Sequence, residues 1–322
     1  MIYPLYNRPN MRQLYDLNLK GALPLLALLF FGSISFSQQV ADINYNPEIP
    51  QPEYAPGEGP VVFIDEGHHN FHTKNGRYKS FSNLLERDGY QVEEYKGAFT
   101  REKLEQGKIL VISNALNEAN VEDWSLPNPS AFSREEIEVL QNWVNNGGSL
   151  FLIADHMPMA GAARDLALVF GFEFTNGFVF DTISRGPALF NYEDETLISS
   201  SITKGREKSE SISQIATFTG QAFKVPENAT PILVFDERYV NFLPEVAWEF
   251  DNTTERFNVG GMCQGAYMKF GKGRVVAFGE AAMFSAQLAG SEKRKMGMNN
   301  PIAPENYRLL LNIIHWLDGK FD

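Results

Sequence analysis

From about residue 60 onwards, short apolar runs alternate with amphipathic stretches along the chain. Strands are predicted at residues 61–64, 91–95, 108–113 and 149–154, and helices at residues 78–87 and 133–146. The second helix begins with Ser133 and Glu136 at the spacing of a capping box. Because strands and helices alternate and the strands are continuously apolar, we expect an α/β fold with a doubly wound, mainly parallel sheet of the flavodoxin-like type.

The second half of the chain is less regular. Residues 175 to 258 carry short β-like pieces among turn residues, which predicts a β-rich insertion. Two β-prone runs at 266–270 and 274–278, joined by a glycine-bearing turn, predict a late β-hairpin. Closing helices are predicted at residues 281–288 and 304–317.

The N-terminal segment has the order of an export signal. Basic residues precede the uncharged stretch 21–36, and the small residues Ser35 and Ser37 stand where signal peptidase requires them. The apolar part is shorter than the ~20 residues that cross a bilayer, so residues 1–37 are predicted to be a cleaved signal peptide. An uncleaved signal anchor and a start at Met11 are the alternatives. We therefore expect a periplasmic or secreted protein without stable membrane insertion after cleavage.

The mature chain is predicted to contain one domain. Residues 38–59 are rich in proline and glycine and predict an extended linker, whereas residues 60–320 form the folded domain. The 322-residue chain has 43% hydrophobic residues, which excludes disorder as its main state. Its net charge of −12 disfavours nucleic-acid binding. The single cysteine, Cys263, excludes a disulfide framework and multi-cysteine metal sites.

Several short motifs resemble the class I glutamine amidotransferase-like superfamily. They are the first strand with its polar loop, the run at residues 146–153, the hairpin at 271–279 and the helix at 306–317. The chain is most similar to an exported bacterial branch that lacks the nucleophilic cysteine. The resemblance implies a cysteine-bearing elbow after the strand at 150–154, where this chain has Asp155-His156-Met157-Pro158. Glutamine amidotransferase activity is therefore not expected.

Histidines and carboxylates follow the predicted strands. Four of the five histidines lie in two loops after strands, at positions His68, His69, His72 and His156. Asp65, Glu66, Asp155 and Glu280 occupy comparable positions. In an open parallel sheet, ligands bind outside the carboxyl ends of the strands, so we expect these side chains to share one cleft. Imidazole and carboxylate are also the ligands that zinc takes when thiolates are absent.

These residues receive the following predicted roles. The predicted ligands of a divalent metal, with zinc as the first candidate, come from both loops and are His68, His69, His72, His156 and Asp65. Catalytic roles are assigned to Glu66, Asp155 and Glu280, and ligand-binding roles to Asn70, Arg164 and Asn299. In the alternative interpretation, the aspartates cap turns and the small residues near Arg164 serve helix packing.

These residues are compatible with three different functions. The first is a metal-assisted hydrolase in which bound water is activated by the ion. The second is a non-catalytic module of the same fold that binds a small molecule or a carbohydrate. The third is metal-free acid–base chemistry on a glycoside by two carboxylates.

The export signal makes a direct prediction. N-terminal sequencing of the protein recovered outside the cytoplasm should begin near Gln38, because signal peptidase cuts after Ser37. Full-length protein with residues 1–37 intact in the cytoplasm would contradict the predicted localisation.

Overall fold

The computed structural model describes residues 39–184 and 186–322. The predicted signal peptide lies outside the described residues. The α-helices in the described residues are α1 (Lys79–Arg87), α2 (Arg101–Leu104), α3 (Arg134–Asn145), α4 (Met159–Leu168), α5 (Ser201–Lys204) and α6 (Asn306–Asp318). None of these described helices has the length and apolar character that a bilayer crossing requires.

The strands of the described residues fall in two halves of the chain. The first half has β1 (Gln39–Ala41), β2 (Val61–Asp65), β3 (Gln91–Tyr95), β4 (Ile109–Ser113), β5 (Ser149–Ile153), β6 (Glu173–Phe174), β7 (Phe178–Asp181) and β8 (Ala188–Asn191). The second half has β9 (Gln214–Thr217), β10 (Phe223–Lys224), β11 (Thr230–Val234), β12 (Tyr239–Leu243), β13 (Glu255–Asn258), β14 (Cys263–Phe270), β15 (Gly273–Phe278), β16 (Ala286–Ala289) and β17 (Arg294–Gly297).

A nine-stranded mixed sheet forms the centre of the protein. Its order is β3-β2-β4-β5-β15-β14-β10-β6, and β11 also pairs with β14. The five strands from β3 to β15 are parallel, whereas β14 runs antiparallel to β15 as the predicted hairpin. The α/β class and the parallel centre of the sheet are confirmed. The sheet as a whole is mixed, because short strands from the irregular second half extend it in antiparallel pairings.

Helices cover the parallel strands on both faces. The alternation within β2 places Ile64 in the core under α1 and α6, and Phe63 in the core under α3 and α4. Continuous apolar strands are required here, because neither face of the sheet meets water. The capping box predicted at the start of α3 is present, with Ser133 and Glu136 in its two positions.

The predicted helix at residues 281–288 is wrong. This stretch forms a short 3₁₀ turn, Ala282–Phe284, and then β16. The carboxylate of Glu280 accepts hydrogen bonds from the N–H groups of Ala282 and Met283, both at 2.8 Å, which fixes the turn. β16 then pairs with β1 on one side and β17 on the other. Tertiary pairing therefore overrides the local helix preference.

Residues 39–59 pack against the domain, which differs from the expected extended linker. β1 pairs with β16, and the Tyr54 ring lies edge-on to Tyr90 with 5.3 Å between centroids. The Tyr54 hydroxyl donates a hydrogen bond of 2.5 Å to Asp318 at the end of α6. Proline and glycine shape this segment into a strap, and its few aromatic residues anchor it.

The irregular region between residues 175 and 258 has strands of its own. β7, β12 and β13 form a three-stranded sheet, and β8 and β9 form a two-stranded one. Because β10 and β11 join the central sheet, this region is integrated with the main fold.

Gly220 gives a test of how tightly the end of β15 is packed. Its φ is +110°, and a Cβ at this position would lie 2.2 Å from the carbonyl oxygen of Gly279. Gly220→Ala should lower the free energy of unfolding by about 3 kcal/mol or more, because strain and a backbone clash combine. The measurement is urea unfolding.

Gly261→Ala is the matched control. Gly261 has a φ of +84°, but a Cβ there meets nothing within 4 Å. It should therefore cost only the left-handed backbone penalty of about 1–2 kcal/mol. Equal losses for the two variants would contradict the close packing of Gly220.

Candidate functional site

Polar residues lie at one edge of the central sheet. β2, β4, β5 and β15 are parallel neighbours, so their carboxyl ends meet at the same edge. Asp65 ends β2, Asn114 follows β4, Asp155 follows β5 and Glu280 follows β15. The structure divides the predicted site residues at this edge into two buried groups and an aromatic rim.

The first group is centred on His68, which is only 6% exposed. Its Nδ1 lies 3.0 Å from both carboxylate oxygens of Asp65, and its Nε2 lies 2.9 Å from Oε1 of Glu136. The Asn70 amide donates to Asp65 Oδ2 at 2.9 Å, and Asn70 Oδ1 accepts the backbone N–H of His68. The imidazole packs against the rings of Phe99 and Phe132, which also contact each other.

This group joins the β2–α1 loop to the start of α3. Glu136 also accepts the N–H groups of Phe99 and Ser133. Burial opposes the charged form of His68, but the hydrogen bonds and charges of Asp65 and Glu136 outweigh it and raise the pKa of His68. The imidazole thus bridges two carboxylates and links the β2–α1 loop to the start of α3.

The second group contains Asp155, Glu280 and Tyr78. Glu280 is 1% exposed and its carboxylate caps the 3₁₀ turn that follows it. Burial, and then the negative charge of Asp155, raise the pKa of Glu280 well above its ordinary value. The Asp155 backbone N–H donates to Asn114 Oδ1 at 2.9 Å. The Tyr78 hydroxyl donates to the Ala281 carbonyl at 3.1 Å, which joins the start of α1 to the turn after β15.

His72 belongs to the same buried region. Its ring centroid lies 4.6 Å from that of Tyr78, and its Nδ1 is buried without a hydrogen-bond partner in the described residues. Burial, and then the positive charge of Arg77, lower the pKa of His72 to about 3. His72 is therefore neutral at physiological pH.

His156 lies in an aromatic rim around the second group. Its ring stacks on Phe178 at 4.3 Å between centroids, and Trp248 contacts it edge-on at 4.7 Å. Trp124 lies 6.3 Å away on another side, and Phe250 contacts Phe178 at 5.2 Å. We call Trp124, His156, Phe178, Trp248 and Phe250 the aromatic platform. Trp248 is 49% exposed and Phe250 is 38% exposed, whereas His156 and Phe178 are buried, so Trp248 and Phe250 form the solvent-facing side of the platform.

Two loops that are distant in sequence hold the platform together. The N–H of Leu126 donates to the carbonyl of Glu245, and the N–H of Ala247 donates to the carbonyl of Trp124. Trp248 has a φ of +68°, a left-handed conformation that is an outlier for a bulky residue. Strained residues of this kind cluster at binding and catalytic sites.

The remaining predicted residues are spread over the surface and the loops. Glu66 accepts the Lys74 backbone N–H at 2.8 Å and so supports the β2–α1 loop. His69 is exposed, with a left-handed φ of 47°. Arg164 is exposed on α4, and the Asn299 amide donates to Asp42 at 2.9 Å beneath the strap of residues 39–59. None of these four contacts Glu280 or Asp155 in the described residues.

The side chains do not fit the predicted zinc centre. Both ring nitrogens of His68 are occupied by carboxylates, and Nδ1 of His156 lies 2.7 Å from the Met157 carbonyl. Within the described residues, no three His, Cys, Asp or Glu side chains are grouped so that they could hold a metal ion. A metal at His68 would have to displace the hydrogen bonds that organise its loop.

Cys263 is equally unsuited to act as a nucleophile. It lies in β14, is 2% exposed and packs in the apolar core beneath α3 and α4. Burial raises the pKa of its thiol to about 12. A thiol in such surroundings stays protonated and unreactive.

Several residues of this edge carry no clear signal in the sequence. The pattern gives Tyr78 only a place at the start of a helix and Glu136 only a capping role, although both bond across the sheet edge. Trp124 and Trp248 stand in irregular loops without a recognisable motif. The one sequence feature that could have identified them is a tryptophan within a polar loop, because tryptophan is enriched at binding surfaces.

Comparisons with known proteins concern the fold alone. No protein-family model matches the sequence, and no curated protein matches it. Among solved structures, the mmIFT52 N-terminal domain is similar with a TM-score of 0.56 at 16% identity, over 80% of this chain and 96% of that one. A ThuA-like protein from Bacteroides uniformis has a TM-score of 0.44 at 11% identity, over 82% and 93% of the two chains. A GMP synthase-like protein from Thermoplasma acidophilum has a TM-score of 0.41 at 12% identity, over 81% and 94%.

The His68 group predicts a pH-dependent stability. Because the folded pKa of His68 is raised above the unfolded value of about 6.5, its stabilisation is complete below pH 6.5 and is lost as pH rises through the folded pKa. The difference in unfolding free energy between the wild type and His68→Gln should therefore shrink as pH rises. Urea unfolding between pH 5 and pH 9 measures it.

His72→Gln is a control for which the pH dependence of the stability difference should have the opposite sign. The folded pKa of His72 is lowered to about 3, so its contribution is present above pH 6.5 and is lost as pH falls towards 3. The wild type should thus lose stability relative to His72→Gln at acid pH. A constant difference at all pH values for either variant would contradict the corresponding assignment.

Proposed function

We propose that this protein is an exported, non-catalytic carbohydrate-binding module with a class I glutamine amidotransferase-like fold. The observation that carries the proposal is the exposed Trp248 beside His156 at the carboxyl edge of the sheet. The strand order and the late hairpin support the fold assignment. Export rests on the predicted signal peptide.

The platform has the chemistry that a sugar requires. The C–H groups of a pyranose ring pack on the face of an indole, where the ring quadrupole places negative partial charge. Sugar hydroxyls need donors and acceptors beside that face, and His156, which contacts Trp248, and the adjacent Asp155 supply such groups. The left-handed backbone of Trp248 keeps a large apolar side chain in solvent, a cost that ligand stacking would offset.

The buried carboxylates and histidines favour binding over catalysis. Asp65 and Glu136 hold His68, and Glu280 caps a turn with both carboxylate oxygens. A general base must reach the proton that it removes, within hydrogen-bond distance or through one water. Asp65, Glu136 and Glu280 already accept hydrogen bonds from backbone N–H groups or from His68, and they therefore stabilise the loops beneath the aromatic platform.

One observation favours a catalytic alternative. Burial, and then the negative charge of Asp155, raise the pKa of Glu280, and a carboxyl group with a raised pKa near a second carboxylate is the general-acid pattern of glycoside hydrolysis. In that case, saccharides that bind would release new reducing ends, and Asp155→Asn would abolish the release. Binding without release supports the non-catalytic module.

The proposal predicts a loss of binding on removal of the exposed indole. Trp248→Ala should weaken the affinity for a bound oligosaccharide about tenfold or more, because an aromatic stacking surface is removed. An oligosaccharide array identifies the ligands of the wild type, and titration calorimetry measures the affinities.

Tyr192→Ala is the matched control, because Tyr192 is a 41% exposed aromatic residue outside the platform. It should bind like the wild type. The proposal fails if the wild type retains no saccharide on the array, or if both variants lose affinity equally.

A further inference from the structure

Arg77 differs from the other arginines of the described chain. Three other arginines form no ion pair in the described residues, and all three are exposed: Arg87, Arg164 and Arg256. Arg77 also forms no ion pair there, yet its side chain is half-buried and its Nε is buried. In a chain with a net charge of −12, carboxylates for pairing are abundant. Partial burial of a cation without a counter-charge has a free-energy cost, which a bound anion would offset.

One nitrogen of the Arg77 guanidinium has no hydrogen-bond acceptor in the described residues. Nη1 donates to the Phe71 carbonyl at 3.1 Å, and the guanidinium carbon lies 3.7 Å from the centroid of the Phe71 ring. Nε is buried and has no acceptor in the described residues. The Nε–Nη2 edge is one of the two faces of the fork that bind a carboxylate with two parallel hydrogen bonds.

Arg77 is connected to the aromatic platform. Phe71, whose ring carries the guanidinium, contacts Trp124 edge-on at 5.8 Å between centroids. Trp124 in turn lies beside His156, which contacts Trp248. The ring contacts thus form a continuous row from Arg77 to Trp248.

His72 adds a second unpartnered group at the same place. Its Nδ1 is buried without a partner in the described residues, and its ring also contacts Phe71, at 5.6 Å. A neutral imidazole donates a hydrogen bond through one nitrogen and accepts through the other. It can therefore bind an oxygen atom of the ligand next to the guanidinium.

We infer that Arg77 binds the carboxylate of an acidic saccharide whose ring stacks on the aromatic platform. This inference rests on the proposed function and specifies its ligand class as a uronic acid-type sugar. Arg77 supplies the two parallel hydrogen bonds through Nε and Nη2. Phe71 orients the guanidinium by stacking, and Trp124 lies between the anion site and the exposed Trp248.

Trigalacturonic acid and its uncharged trimethyl ester are the probes. Titration calorimetry should give the wild type about tenfold higher affinity for the acid than for the ester, because a charge-assisted bidentate pair is lost in the ester. Higher salt should reduce this ratio modestly, since salt screens a partly buried ion pair less than an exposed one. Arg77→Gln should bind both probes with the weaker affinity.

Two further variants separate the possible outcomes. Arg87→Gln removes an exposed arginine and should keep the wild-type preference for the acid. Arg77→Lys keeps the charge without the fork, and should retain a reduced preference. Thermal unfolding of each variant shows whether it is folded, and the salt dependence of the wild type tests the ion pair without any substitution.

The inference is overturned if the wild type binds acid and ester equally, or if it binds neither probe. It is also overturned if free acetate or sulfate binds at Arg77 with no effect of Trp248→Ala, which indicates a simple anion site. Equal binding of both probes that is lost in Trp248→Ala would refute the role of Arg77 and leave the proposed carbohydrate module standing. Failure of the saccharide array with the wild type refutes the module itself.

Discussion

Buried carboxylates at the ends of the parallel strands are the constraint on which this edge of the protein depends. Asp65 and Glu280 are at most 1% exposed and Asp155 is 8% exposed, so each needs partners within the protein. Asp65 is paired with a histidine that Glu136 holds from the other side. Glu280 instead accepts backbone N–H groups, and its raised pKa favours the neutral form. Two different physical solutions thus stabilise loops that would otherwise have few apolar contacts.

The polar side chains and the exposed aromatic residues of this edge thus occupy different layers. The histidine and carboxylate cluster lies beneath the surface and fixes the β2–α1 loop, the start of α3 and the turn after β15. The solvent-facing chemistry is aromatic and comes from the irregular region, where Trp248 is anchored by a bridge to the loop of Trp124. Rigid strand ends below and loops above are the usual arrangement for a binding site on an α/β sheet. Arg77 lies where the two layers meet, because its loop starts at β2 and its stacking partner contacts Trp124.

Several parts of the fold are predictable because they depend on local or nearest-neighbour physics. The apolar runs that form β2, β4 and β5 are buried on both faces, and this burial leaves a continuous signature in the sequence. The capping box of α3 depends on residues three apart and is directly visible in the sequence. The turn after Glu280 resembles a helix in its local pattern, but a side-chain cap and pairing with β1 from the other end of the chain decide its conformation.

The sequence by itself determined that polar residues gather at the carboxyl ends of parallel strands, because strand direction and chain order fix which loops share an edge. It could not determine what those residues bond to. Whether His68 faces a metal, a ligand or Glu136 depends on where α3 packs, 68 positions along the chain. Likewise, only the packed structure brings Trp124 beside Trp248 and leaves Arg77 without a counter-charge in the described residues. These contacts join segments that are far apart in the sequence, and no sequence pattern in one segment indicates the other. Only the tertiary structure therefore decided which side chains contact each other at this edge.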